Sequence, residues 1–132
     1  MTYVNISGIN PFKVWYSNAL DWELQTLVRE AITNQLIVRG KALEDTLWLK
    51  SVYPDLFQLR IKKSLKPSRL RILLRIYLCF EENGAIVLLS GYNKGINTSK
   101  EIQSAEISKA INLLTDWRNG NGRIENASFL LG

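Results

Sequence analysis

Leu70-Arg-Ile-Leu-Leu-Arg-Ile-Tyr-Leu-Cys-Phe80 decides how the chain is read. Its even positions, Leu70, Ile72, Leu74, Ile76, Leu78 and Phe80, are all apolar, and its odd positions carry Arg71, Arg75 and Tyr77 beside Leu73 and Cys79. Side chains alternate across a strand with a period of two, so this pattern predicts a strand with one core face and one cationic face. Residues 56–63 repeat it. Phe57, Leu59 and Ile61 point one way; Gln58, Arg60 and Lys62 point the other. Residues 85–92 give a third strand, reached through Glu81-Glu-Asn-Gly84, where Asn-Gly is the strongest short hairpin signal. The three strands form an antiparallel meander. An antiparallel sheet that buries one face commonly leaves the other to water, and here the outer face is expected to be basic.

Residues 1–10 read as a polar arm and residues 12–16 as a β-rich strand. Asn18 with Asp21 suggests a capped helix running to about residue 38 and stopped by Gly40. A second helix is expected over residues 42–52, burying Leu43, Leu47 and Trp48. Ser64-Leu-Lys-Pro-Ser68 is a basic hairpin loop, and residues 93–97 look mobile. Thr98 with Glu101 opens a last helix, ended at Asn119-Gly-Asn-Gly122. The four tryptophans, Trp15, Trp22, Trp48 and Trp117, are expected in the core. An apolar end, Phe129-Leu-Leu131, needs something to dock on. The whole, residues 1–132, is read as a single α+β domain: strand, helical hairpin, three-stranded meander, helix.

Composition narrows the chemistry. In 132 residues there are 17 Lys and Arg against 12 Asp and Glu, a net charge of +5 that favours an anionic partner. No histidine is present, so imidazole catalysis is excluded, and with one cysteine a structural zinc site lacks its ligands. Cys79 is read as a reduced, packed thiol, which suits a cytoplasmic protein. No apolar run approaches the roughly 20 residues that cross a bilayer, and no membrane partner is expected.

The order of elements, with particular residues, resembles the RelE/HigB toxins of type II toxin–antitoxin systems, including a phage-derived branch. Leu56-Phe-Gln-Leu-Arg60 looks like that branch's L-x-E-L-R strand, and Arg75-Ile-Tyr77 like its R-v-x-Y/F strand. Ile86-Val-Leu-Leu-Ser-Gly-Tyr-Asn-Lys94 is similar to i-v-l-L-h-g-F-x-K, and Glu101-Ile-Gln-Ser-Ala105 to e-i-x-x-A. Ser90 and Gly95 stand where the pattern often has a histidine and a second lysine. The resemblance implies an endoribonuclease that acts without metal or cofactor, cuts mRNA, usually on the ribosome, and is silenced by an antitoxin, here expected to carry a helix-turn-helix. It places Arg60, Arg75 and Lys94 at motif positions. Strand alternation adds Lys62, so the catalytic candidates are Arg60, Lys62, Arg75 and Lys94, with Lys62 or Lys94 as base and the arginines as phosphate clamps. Arg71, Tyr77, Tyr92 and Lys63 are candidates for holding RNA. Two other readings use the same fold: a ParE-like inhibitor of DNA gyrase, and a binding protein of phage origin or with lapsed catalysis.

Overall fold

The computed structural model describes residues 1–65, 70–96 and 98–131, with the backbone alone for residues 64, 65, 70, 71 and 131. The fold is α+β. Six strands form one mixed sheet in the order β2-β3-β4-β5-β1-β6: β1 Thr2–Val4, β2 Leu49–Tyr53, β3 Leu56–Leu65, β4 Leu70–Phe80, β5 Ile86–Asn93 and β6 Arg123–Glu125. The meander forms as the alternation requires, with Arg60 opposite Arg75 and Leu59 opposite Ile76. Its turn after β4 closes with Glu81 N–H donating to Ala85 O at 2.8 Å, and Gly84 supplies the positive φ of +84°. The meander gains a fourth strand, β2, paired antiparallel to β3.

The N-terminal third departs from expectation. Residues 1–10 are not a loose arm. They contain β1, buried throughout, which pairs parallel with β5 and antiparallel with β6. Three residues are too few for a period-two pattern to show. The expected strand over residues 12–16 is helix α1, Pro11–Ala19. Asn10 caps it by accepting from Lys13 N–H at 3.0 Å, and Pro11 occupies the first turn, where a missing N–H costs nothing. These end signals, with Phe12 and Tyr16 buried one turn apart, outweigh the β propensity of Val14, Trp15 and Tyr16. Asn18 therefore lies inside α1, and Asp21 caps α2, Trp22–Ala31, by accepting from Leu24 N–H at 2.9 Å.

Helix α2 runs through a π-turn, Ile32–Leu36, into the short α3, Ile37–Arg39, which Gly40 ends at a φ of +54°. The second helix expected over residues 42–52 is a 3₁₀ segment, Gly40–Asp45, followed by β2. Thr46 stops it, its hydroxyl donating to Leu43 O at 2.6 Å and accepting from Trp48 N–H at 3.1 Å. Leu43 is buried as expected, Trp48 is half-buried, and Leu47 is exposed. Trp22 is also exposed, since it sits in the first turn of α2. The basic loop expected over residues 64–68 lies outside the described residues except at its start, as does Asn97.

Two cores sandwich the sheet. On one face, α1, α2 and the π-turn pack Phe12, Val28, Ile32 and Leu36 on Leu59, Ile61, Leu74, Ile76 and Leu78. The C-terminal segment joins this core: Phe129 lies 5.4 Å from Tyr16 and 6.1 Å from Phe12 between ring centroids, and Leu130 is buried. On the other face lies α4, Lys100–Arg118, whose Ala110 and Leu114 pack with Tyr3, Leu56, Tyr77, Cys79, Leu89 and Tyr92. Its N-cap is Ser99, accepting from Ile102 N–H at 3.1 Å, one residue beyond the Thr98 expected. The second face of the meander is therefore not an open basic surface along its whole length. α4 roofs its middle and leaves Lys62 of β3, with Gly95 and Ile96 after β5, exposed. Among the described residues no helix is long and apolar enough to cross a membrane.

Candidate functional site

Strand register brings the cationic residues together. On the α4 face, Arg60 of β3 lies opposite Arg75 of β4, and Arg75 lies opposite Tyr92 of β5. One step along, Gln58, Tyr77 and Ser90 form a second row across the same strands. Lys62 is the next α4-facing residue on β3. Lys94 follows β5 directly, and its N–H donates to Leu73 O at 2.8 Å, which ties the start of the expected mobile loop to β4. Gly95 N–H also reaches Leu73 O, at 3.2 Å, and Asn93 Oδ1 at 2.9 Å.

The pairs are positioned by their neighbours. Arg60 Nε donates to Gln58 Oε1 at 3.1 Å, and Gln58 Nε2 donates to the Tyr77 hydroxyl at 3.0 Å. The Tyr77 ring stacks parallel on that of Tyr92, at 6.2 Å between centroids and 1° between planes. One guanidinium nitrogen of Arg75 donates to Leu74 O at 3.2 Å. Arg75 is 4% exposed and Tyr77 0%, so α4 and the phenols enclose them, whereas Arg60 and Lys94 are half-buried and Lys62 is exposed.

Electrostatics follow from this crowding. Desolvation holds the Lys94 ammonium below its usual range, and the nearby charges of Arg75, Arg60 and Lys62 add to the effect. Arg75 is pushed down chiefly by burial and then by Arg60. Burial raises Tyr77 well above the usual phenol range, and raises Tyr92 against the opposing pull of Arg75. The result is a partly exposed cluster of positive charge beside two phenols whose pKa burial raises. Such a cluster stabilises a phosphate that gains negative charge in its transition state, and it favours a neutral amine able to take a proton.

The four catalytic candidates, Arg60, Lys62, Arg75 and Lys94, thus fall within electrostatic reach of one another, and Tyr92 adjoins them. Three of the RNA-holding candidates fare differently. Tyr77 is sealed in the core and presents no face on which a base could stack. Lys63 falls on the opposite side, because each step along β3 reverses the face; a cavity of about 220 Å³ there is lined by both Lys62 and Lys63, with Leu27, Glu30 and Trp48. The side chain of Arg71 lies outside those described. Sequence reading assigned no role to Gln58, Ser90 or Glu106. Gln58 was visible on the cationic face, but its bridge from Arg60 to Tyr77 needs the β3–β4 register. Glu106 comes from α4, and nothing in the linear sequence brings that helix over the sheet.

Compared with models of known protein families, with curated proteins and with solved structures, the chain has no match.

Proposed function

We propose that this chain is an RNA-cleaving toxin of the kind the RelE/HigB resemblance implies, acting without metal. The observation that carries the reading is geometric: Arg60 lies opposite Arg75 with Lys62 on the same face, and Lys94 is tied to β4 at Leu73 beside them, so that several cations can act on one phosphate; desolvation and these charges also hold the Lys94 ammonium below its usual range. In the reaction, Lys94 Nζ takes the proton of a ribose 2′-hydroxyl. The 2′-oxygen then bonds to the adjacent phosphorus, and the bond from phosphorus to the 5′-oxygen breaks. A 2′,3′-cyclic phosphate and a 5′-hydroxyl result. Arg60 and Arg75 offset the charge that builds on the phosphoryl oxygens. Lys62, the exposed ammonium on the same face, is the donor that returns a proton to the leaving 5′-oxygen. The partners of this reading are mRNA, engaged on the ribosome, and an antitoxin with a helix-turn-helix that silences the toxin.

The test is expression of the wild type and an Arg60→Gln, Lys94→Met double variant from a tightly repressed promoter, followed by mapping of mRNA 5′ ends. Growth arrest with new 5′-hydroxyl ends in coding regions, both lost in the double variant, is the expected result. Intact mRNA in arrested cells would refute it. The burial of Arg75 and Tyr77 favours a second reading, a binding protein on a toxin-like fold whose target is a protein such as DNA gyrase. Arrest without cleavage, relieved by a resistant gyrase, would select it.

A further inference from the structure

Four buried side-chain atoms make no hydrogen bond of good geometry among the described residues: Arg75 Nε, Ser90 Oγ, Tyr92 OH, which has the Tyr77 hydroxyl as its near neighbour, and Glu106 Oε2. Three of them belong to the two cross-strand rows of the cationic face, and Arg75, Ser90 and Tyr92 are 4%, 1% and 4% exposed. The fourth comes down from α4, where the Glu106 carboxylate bears on both Tyr77 and Tyr92. Native interiors leave few polar atoms unmet, and such a group signals strain, an ordered water or a ligand site. Here all four meet at one interface. The first three can each donate a hydrogen bond, so together they suit an oxyanion. The carboxylate above them accepts only, and no ion pair joins it to Arg75 among the described residues.

Helix α4 is also unevenly held. Its C-terminal half is anchored: Ala110 and Leu114 are buried, Trp117 Nε1 donates to Glu81 Oε1 at 2.6 Å, and Arg118 pairs with Glu81 at 2.9 Å. Residues 100–106 bury none of their side chains fully, and only Gln103 and Glu106 are even half-buried. A segment with few buried apolar contacts opens at lower free-energy cost than the rest of the fold. The closed arrangement therefore leaves polar groups unmet beneath the least secured part of the helix.

We propose that residues 100–106 of α4 form a lid over a phosphodiester-binding site made by Arg75, Ser90 and Tyr92, and that Glu106 keeps this lid selective by repelling the anion until the helix lifts. The proposal rests on the RNA reading above and adds its regulation: the free protein is mostly closed, and a backbone phosphate enters when the first turns of α4 give way. Closure lowers the apparent affinity by the fraction of molecules that are open. Loss of the Ser99 cap, which steadies those turns, raises that fraction by about five-fold, the equivalent of a typical cap contribution.

The experiment uses the full chain with a fluorescein-labelled, non-cleavable 2′-O-methyl RNA of mixed sequence. Ser99→Ala and Glu106→Gln are expected to bind it about five-fold more tightly than the wild type. Asp116→Asn, which removes the same charge from the anchored end of α4, is expected to bind as the wild type does. Amide hydrogen exchange supplies the second readout. Residues 102–106 should exchange faster than residues 110–117 in the wild type, and faster still in Ser99→Ala. Equal protection along α4, unchanged in Ser99→Ala, would overturn the lid whatever the RNA does. So would unchanged affinity in both lid variants, or an equal gain in Asp116→Asn. If no variant binds RNA while the difference in exchange persists, the RNA reading is what fails, and with it the phosphodiester assigned to the site.

Discussion

Replacing Arg75 by methionine is expected to stabilise the fold while abolishing the site. The side chain is 4% exposed, spends one donor on Leu74 O at 3.2 Å, leaves Nε unpartnered among the described residues and faces Arg60 across the strands. A hydrogen bond from a charged group contributes about 1.5–3 kcal/mol, whereas an ion buried without a counter-ion costs several kcal/mol even after relaxation. Methionine fills much of the same volume with no charge to desolvate. The balance favours the variant by on the order of 1–2 kcal/mol. For a chain of 132 residues, with an unfolding entropy of about 0.28 kcal/mol per kelvin, this is a Tm about 4–7 °C higher. Urea and thermal unfolding followed by tryptophan fluorescence would measure it, with RNA cleavage assayed on the same preparation. A Tm below that of the wild type, at unchanged denaturant slope, would refute the reasoning. Arg75 would then be a structural tie between sheet and helix, and the site would lose its central cation.

Three further outcomes are expected. Gly91→Ala should cost about 1–2 kcal/mol in urea unfolding, because a Cβ there lies 2.5 Å from Cε3 and Cζ3 of the Trp15 ring and the overpacking outweighs the gain from a stiffer unfolded chain; wild-type stability would show that Trp15 moves aside freely. The pH–rate profile of cleavage should have two limbs, rising with a midpoint below the usual lysine value of 10.5 because Lys94 works as the neutral amine and its pKa is lowered, and falling once Lys62 loses the proton it donates; Lys62→Gln should lower the rate and remove the falling limb, and a rising limb centred at or above 10.5 would exclude Lys94 as the base. Burial pushes the Cys79 thiol up to about 12 from 9.0, so native protein should resist alkylation at pH 8 and react once unfolded. The sign follows from that shift: between those values the unfolded chain loses the proton and the folded one keeps it, so stability falls as pH rises, by up to about 1.4 kcal/mol per pH unit. The same slope in Cys79→Ala as in the wild type over that interval would contradict the burial of Cys79.

The divide between what was legible in the chain and what was not follows the range of the forces involved. Alternation over residues 56–63 and 70–80 fixed two strands and their faces, and so put Arg60, Arg75 and Tyr77 on one side of the sheet, because side-chain direction in a strand is a local property. Asn-Gly at residues 83–84 fixed the hairpin for the same reason. Alternation put Arg60, Lys62 and Arg75 on one face, whereas Lys94, and the catalytic role of the set, came only from the resemblance to the RelE/HigB pattern. Local signals also misled, as when the β propensity of residues 12–16 lost to the cap at Asn10 and the proline after it. The burial of β1 came from its place between β5 and β6, which three residues cannot announce. Above all, only tertiary structure decided what covers the cationic face. Docking of α4 encloses Arg75, Tyr77 and Tyr92, depends on Ala110, Leu114 and Trp117 finding the sheet, and brings Glu106 to a site more than ten residues away in sequence. Solvent access and pKa depend on everything that surrounds a group, so the chain specified which charges exist and the packing specified which of them meet water.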